Sequence, residues 1–155
     1  MDYIIEGPQL NISLDCIPIL RALPDWFGIE KAILEYEQEI EHLPTFLAKT
    51  GGSVQGFLSL KQHNPFSGEI TVMAVRPEAQ GKGIGRALVE AAETHARGLG
   101  VEYMQVKTLG PSRPDEGYAR TRAFYEALGF RPLEEFAQIW DEHNPCLILI
   151  KKLSS

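Results

Sequence analysis

Glu69-Ile70-Thr71-Val72-Met73-Ala74-Val75-Arg76-Pro77-Glu78-Ala79-Gln80-Gly81-Lys82-Gly83-Ile84-Gly85-Arg86 is the stretch that decides how the chain is read. Its first seven residues are rich in β-branched and apolar types and read as a strand over Glu69–Val75. Pro77 breaks the pattern. From Gly83 the spacing of Ile84, Leu88, Ala91 and His95 predicts a helix to about Arg97. Gly98 and Gly100 close it. Between strand and helix, Gln80-x-x-Gly83-x-Gly85 has the physics of an anion cradle. Glycine lets backbone approach a ligand without a Cβ in the way. The first N–H groups of a helix lack internal partners, and the helix dipole makes that end partially positive. Lys82 and Arg86 add full charges. A dinucleotide-binding turn is disfavoured, because Gly-x-Gly-x-x-Gly is absent and the preceding strands are joined by hairpins. The Lys-Ser/Thr ending of a P-loop is missing too.

Working outward, Tyr3 to Ile5 reads as a first strand and Ile12 to Ala22 as a helix disturbed by Pro18. Ile29, Ile33, Tyr36, Ile40 and Leu43 form one apolar helical stripe that Pro44 ends. Strands over Thr45–Thr50 and Val54–Gln62 meet at Gly51-Gly52, and Asn64-Pro65-Phe66-Ser67-Gly68 is a second turn. Beyond the quoted stretch come a strand, Val101–Thr108, a polar loop, Leu109–Gly117, and a helix, Tyr118–Leu128, capped by Gly129. Two last strands follow, Phe130–Phe136 and Cys146–Lys152. The order βααβββαβαββ specifies a mixed α/β (α+β) fold, a mostly antiparallel central sheet flanked by helices. With no repeat or linker, one domain over residues 1–155 is expected.

Composition narrows the function classes. The chain has 155 residues, 15 basic against 21 acidic, for a net charge of −6. That balance argues against a general nucleic-acid binder, which carries a basic stripe, and suits a cationic acceptor such as an amine. No apolar run reaches the roughly 20 residues of a membrane span. Met1-Asp2-Tyr3-Ile4-Ile5-Glu6 has no basic n-region or apolar h-region, so a cytoplasmic location is expected. Cys16 and Cys146 are expected as reduced, buried thiols. The four histidines, His42, His63, His95 and His143, show no zinc spacing, so no metal is expected.

Ala74-Val75-Arg76-Pro77 with Gln80-Gly81-Lys82-Gly83-Ile84-Gly85-Arg86-Ala87-Leu88 resembles the acetyl-CoA signature of the GNAT N-acetyltransferase superfamily. About forty residues on, Ala123-Phe124-Tyr125-Glu126-Ala127-Leu128-Gly129-Phe130 resembles that family's Phe-Tyr-x-x-x-Gly-Phe element. The order of elements fits as well. The resemblance implies that backbone at Ala74 and Val75 binds the pantetheine arm of acetyl-CoA. It also implies that N–H groups across Gln80, Gly81, Lys82, Gly83, Ile84, Gly85 and Arg86 hold its pyrophosphate. One departure stands out: many members carry an asparagine seven residues before the motif tyrosine, where this chain has Tyr118.

The reaction implied is direct transfer of acetyl from a thioester to an amine. Tyr125 is the candidate general acid, since a phenol with a pKa of about 10 donates to a thiolate of similar basicity at little cost; the competing reading is core packing. Glu69 is the candidate general base, directly or through water. Strand alternation puts it on one face with Thr71, Met73 and Val75, and its position is similar to that of the glutamate base in the family's histone-acetylating branch. The competing reading is a solvated strand-edge carboxylate. By resemblance the acceptor cleft draws on Trp26 and Phe27 and on the loop from Gly110 to Tyr118. There Arg113, with Arg120 nearby, is placed to hold a carboxylate. Three readings follow: an acetyltransferase for a small amine such as an amino acid or polyamine, one for protein lysines or N-termini, and a silent acyl-CoA-binding module. Family members are often homodimers, and Cys146–Ile150 is the candidate interface strand.

Overall fold

The computed structural model describes residues Asp2–Leu153. Strand β1 spans Ile4–Gln9 and is followed by helices α1 (Ser13–Arg21) and α2 (Glu30–His42). Strands β2 (Thr45–Thr50), β3 (Ser53–Asn64) and β4 (Ser67–Val75) come next, then a 3-10 turn at Pro77–Ala79 and helix α3 (Ile84–Gly98). Strand β5 (Tyr103–Leu109), helix α4 (Glu116–Ala127) and strands β6 (Arg131–Asp141) and β7 (Asn144–Lys152) complete the chain. The sheet runs β1-β2-β3-β4-β5-β7-β6. Its β1–β2, β2–β3, β5–β7 and β6–β7 ladders are antiparallel, and β4–β5 is parallel. The expected order of helices and strands and the mixed, mostly antiparallel sheet are therefore observed.

The chain packs as two compact units, the first running to Lys61 and including Thr71–His95, the second comprising Gln62–Ile70 and the chain from Ala96 onward. In the first, Cys16, Ile19, Leu20 and Leu23 from α1 and its exit meet Ile40, Leu47, Phe57, Val72 and Ala74. Burying side chains of this size stabilises by roughly 1.5–3 kcal/mol each. Pro18 sits inside α1; it removes one backbone donor, yet the helix persists because its buried side is anchored in this core.

Several expectations shift in detail. The α2 stripe buries Ile33 and Ile40, but Ile29 is 69% exposed. It is the residue before the first helical turn, in extended backbone, so it leaves the helix face. On α3 the buried apolar set is Ile84, Leu88, Val89, Ala92 and Ala96, with Glu93 buried beside them, while Ala91 and His95 are half-buried. The true face is therefore rotated from the one that Ala91 and His95 suggest. Strand β6 extends to Asp141, where a short strand to Phe136 is expected from its sequence. A tight turn joins it to β7, with Asp141 Oδ1 accepting from His143 N–H and Asn144 N–H at 2.9 Å each. A register shift between Phe136 and Asp141 and exposed Ile139 and Trp140 hide the alternation that marks a strand.

In the second unit α4 begins on Asp115, whose carboxylate accepts from Tyr118 N–H at 3.0 Å, a side-chain N-cap. It ends in a Schellman motif. Gly129, at φ +100, donates to Glu126 O at 3.0 Å, and Phe130 N–H donates to Tyr125 O at 3.1 Å. That turn folds Phe130 back onto Tyr125.

Candidate functional site

The glycine loop is built from the end of β4. Arg76 is committed to β3, its backbone N–H on Gln55 O at 2.8 Å and its side chain Nε on Val54 O at 2.9 Å. Gln80 Nε2 donates back to Val75 O at 3.1 Å, which closes the loop on the strand end. Gly81 and Gly83 adopt φ +78 and +85, a region that costs other residues roughly 1–2 kcal/mol. A Cβ on Gly81 would meet nothing within 4 Å, and one on Gly83 only the Tyr3 hydroxyl at 3.5 Å. These glycines therefore answer a backbone requirement and leave open space beside the loop. The helix's opening bond runs from Ala87 N–H to Gly83 O at 3.0 Å, so the N–H groups of Ile84, Gly85 and Arg86 have no helical partner. Gln80, Lys82 and Arg86 are exposed. The arrangement suits a phosphate-bearing ligand. Closer in, Gly56 passes under the strand end: a Cβ there would lie 3.1 Å from Ala74 O and 3.3 Å from Ile84 Cγ2. Ala74 is buried and Val75 half-buried, as alternation along β4 requires.

Glu69 lies at the other end of β4 and is buried at 6% exposure. It is not the solvated strand-edge carboxylate of the competing reading. His63 Nε2 stands 2.7 Å from Glu69 Oε1, and Lys107 Nζ 3.4 Å from the same oxygen. In the parallel ladder Glu69 is paired with Gln105 and the last pair is Ile70 with Val106. Lys107, two residues past Gln105, shares its face. Cys146, paired with Leu109 across β5–β7, joins the same group. Burial pushes its thiol pKa up, Glu69 adds to the rise and Lys107 opposes it.

His63 and Lys107 belong to no motif in the sequence. The signal was available: the turn at Pro65-Phe66 makes residues 63 and 69 neighbours in one hairpin. Naming the partner nevertheless needs the register of three strands.

Tyr125 is buried on α4 between two rings, edge-on to Phe124 at 5.1 Å and to Phe130 at 5.6 Å. Burial alone raises its pKa well above the ordinary phenol value. Tyr118 is half-buried, one turn after the N-cap. Its pKa is raised, first by burial and then by Asp115, with Arg113 opposing. Arg113 hydrogen-bonds Asn144 Oδ1 and the His143 carbonyl, so its guanidinium braces the β6–β7 turn. Arg120 is exposed on α4. Trp26 and Phe27 are half-buried against the first unit's core, and Phe27 packs edge-on to Tyr36 at 5.6 Å. The candidates thus divide. The glycine-loop residues and Trp26 and Phe27 belong to the first unit, whereas Glu69, Arg113, Tyr118 and Tyr125 belong to the second.

Among the described residues no group of three or more His, Cys, Asp or Glu side chains could hold a metal ion. Among the described residues no helix is long and apolar enough to cross a membrane.

The chain is similar to a mycothiol acetyltransferase from Beutenbergia cavernae, 38% identical over 87 residues, covering 56% of this chain and 27% of that protein. It spans less than a third of the length of the curated relatives it matches first. In fold it is similar to an IAA acetyltransferase from Bacillus cereus, with a TM-score of 0.68, 25% identity and coverage of 97% and 99% of the two chains. It also resembles a GNAT family acetyltransferase from Elizabethkingia anophelis with acetyl-CoA bound, with a TM-score of 0.71, 18% identity and coverage of 97% and 98%. The sequence model of the acetyltransferase (GNAT) family matches residues 17–130, and the chain belongs to that family.

Proposed function

We propose that this chain transfers an acetyl group from acetyl-CoA directly to the primary amine of a small molecule, such as an amino acid or a polyamine-like amine. The observation that carries the reading is the loop Gln80–Arg86. Two glycines there hold positive φ, three helix-opening N–H groups lack helical partners, and Lys82 and Arg86 stand exposed beside them. Those donors would hold the pyrophosphate, and backbone at Ala74 and Val75 would take the pantetheine arm. When bound, acetyl-CoA supplies an activated thioester. The mycothiol acetyltransferase relatives favour a small acceptor.

An alkylamine is largely protonated at neutral pH, its pKa being about 10, so it must lose a proton before attack. Glu69 is the base in this reading. Its Oε1 takes the contacts with His63 and Lys107, and Oε2 is the oxygen available to the acceptor's proton, directly or through water. Tyr125 is the acid. Its phenol would give its proton to the departing thiolate, against the upward pKa shift that burial imposes. Trp26, Phe27, Tyr118 and Arg113 are the proposed acceptor-side residues, Arg113 acting through the turn that it braces.

The test is thiol release from acetyl-CoA across a panel of amines and amino acids. Release that depends on the amine, with acetylated product seen by mass spectrometry, is expected. Tight coenzyme A binding with no release for any amine overturns the transferase reading in favour of a silent binding module.

A further inference from the structure

We propose that His63 is a proton relay for Glu69, carrying the acceptor's proton from the buried carboxylate to solvent. This rests on the transferase reading above and deepens it. A base that accepts a proton in each turnover must discard it, and Glu69, at 8% side-chain exposure, has little direct access to water. His63 has that access. Its side chain is 30% exposed, and Nε2 lies 2.7 Å from Glu69 Oε1, within hydrogen-bond distance. An imidazole can accept a proton on one ring nitrogen and release one from the other.

The proton bookkeeping closes. Glu69 takes a proton from the acceptor's ammonium or its bound water. The proton arrives on Oε2; a half-turn of the carboxyl group brings it into the place of Oε1, where it passes to His63 Nε2, giving an imidazolium, and the Nδ1 proton leaves to water. The imidazole then turns over its tautomer through solvent, and the carboxylate is restored. No oxidant, metal or second substrate is needed. The titratable and charged groups that meet Glu69 are His63 from β3, Lys107 from β5 and Cys146 from β7. Lys107 is an ammonium on the same oxygen. It repels a second positive charge on His63, so the imidazolium is short-lived and releases its proton outward.

His63 acts through Glu69 and does not itself touch substrate, so the test needs readouts that a merely structural role would leave still. His63→Ala and His63→Gln are compared with the wild type and Glu69→Gln in amine-dependent thiol release from pH 6 to 9. Both His63 variants are expected to lose about 10²-fold in kcat at neutral pH, with KM for acetyl-CoA unchanged and melting temperature kept. Added imidazole should restore His63→Ala. In NMR, the His63 ring titration should move between the wild type and Glu69→Gln. Loss of activity in Glu69→Gln alone, with unaltered pH profiles in both His63 variants, overturns the relay and leaves the base in place. A wild-type enzyme with no amine-dependent release overturns the transferase reading itself. An unchanged His63 titration in Glu69→Gln shows that the two groups are not coupled and overturns the relay independently of activity.

Discussion

The carboxylate of Glu135 occupies the space that a Cβ on Gly110 would need: the two would lie 2.5 Å apart. Glu135 also accepts a hydrogen bond from the Ser112 hydroxyl, and Gly110 N–H donates to Pro145 O at 2.8 Å. The loop from β5 to α4, which carries Arg113, is therefore held against β6 by the Glu135 side chain and against β7 by the Pro145 backbone carbonyl. Gly110→Ala is expected to turn the flexible Glu135 side chain away and break its bond to Ser112, at a cost of about 1 kcal/mol. It should raise the acceptor KM and spare acetyl-CoA affinity. Glu135→Ala should do the same, and the double variant should cost clearly less than the sum, because one interaction is removed twice. Urea unfolding of the four proteins measures this; strict additivity would show that the loop is held by other means.

Gly81 and Gly83 should behave differently from Gly98. Alanine at either loop position must adopt a left-handed conformation, at a cost of roughly 1–2 kcal/mol or a loop rearrangement. Coenzyme A affinity, followed by calorimetry, should fall with it. Gly98 is helical and has nothing within 4 Å of its would-be Cβ. Gly98→Ala should be neutral or stabilising by up to about 1 kcal/mol. Equal effects at all three sites would contradict a backbone role for the loop glycines.

Tyr125→Phe separates chemistry from packing. The two edge-on ring contacts survive the loss of the hydroxyl. Stability should stay within about 1 kcal/mol of wild type, while turnover falls by about 10²-fold or more with acetyl-CoA affinity kept. Steady-state kinetics and a thermal melt decide it; an unchanged turnover removes Tyr125 as the acid.

Cys16 links stability to pH. Burial, with a smaller contribution from Asp15, pushes its thiol from 9.0 up to about 12. The folded chain thus keeps a proton that the unfolded chain gives up. This contribution to stability is complete below about pH 9 and is lost as pH rises towards 12, by about 1.4 kcal/mol per pH unit. Urea unfolding at pH 8, 9 and 10 should show the decline, and Cys16→Ala should flatten it. Neither Cys16 nor Cys146, whose thiol is raised as well, should react with a disulfide reagent at pH 8 until the chain unfolds.

Local chemistry accounts for what could be read without coordinates. The glycine loop, the order of helices and strands, the cap at Gly129 and the alternation along β4 depend on neighbours a few residues apart, so residue type and spacing suffice. The helix face of α3 and the length of β6 differ from what spacing predicts for a related reason. Which side of α3 is buried depends on what packs against it, and β6 carries a register shift and exposed apolar residues that blur its period.

Residue types alone determined the family resemblance and the glycine loop, because a strand, two positive-φ glycines and a helix start form one continuous segment. Only the tertiary structure decided the surroundings of Glu69. His63, Lys107 and Cys146 reach it from three other strands, and their meeting depends on hairpin register and on the parallel β4–β5 ladder. The pairings that bring Lys107 and Cys146 are set by long-range burial, which no local spacing encodes; only the His63 contact lies within one hairpin.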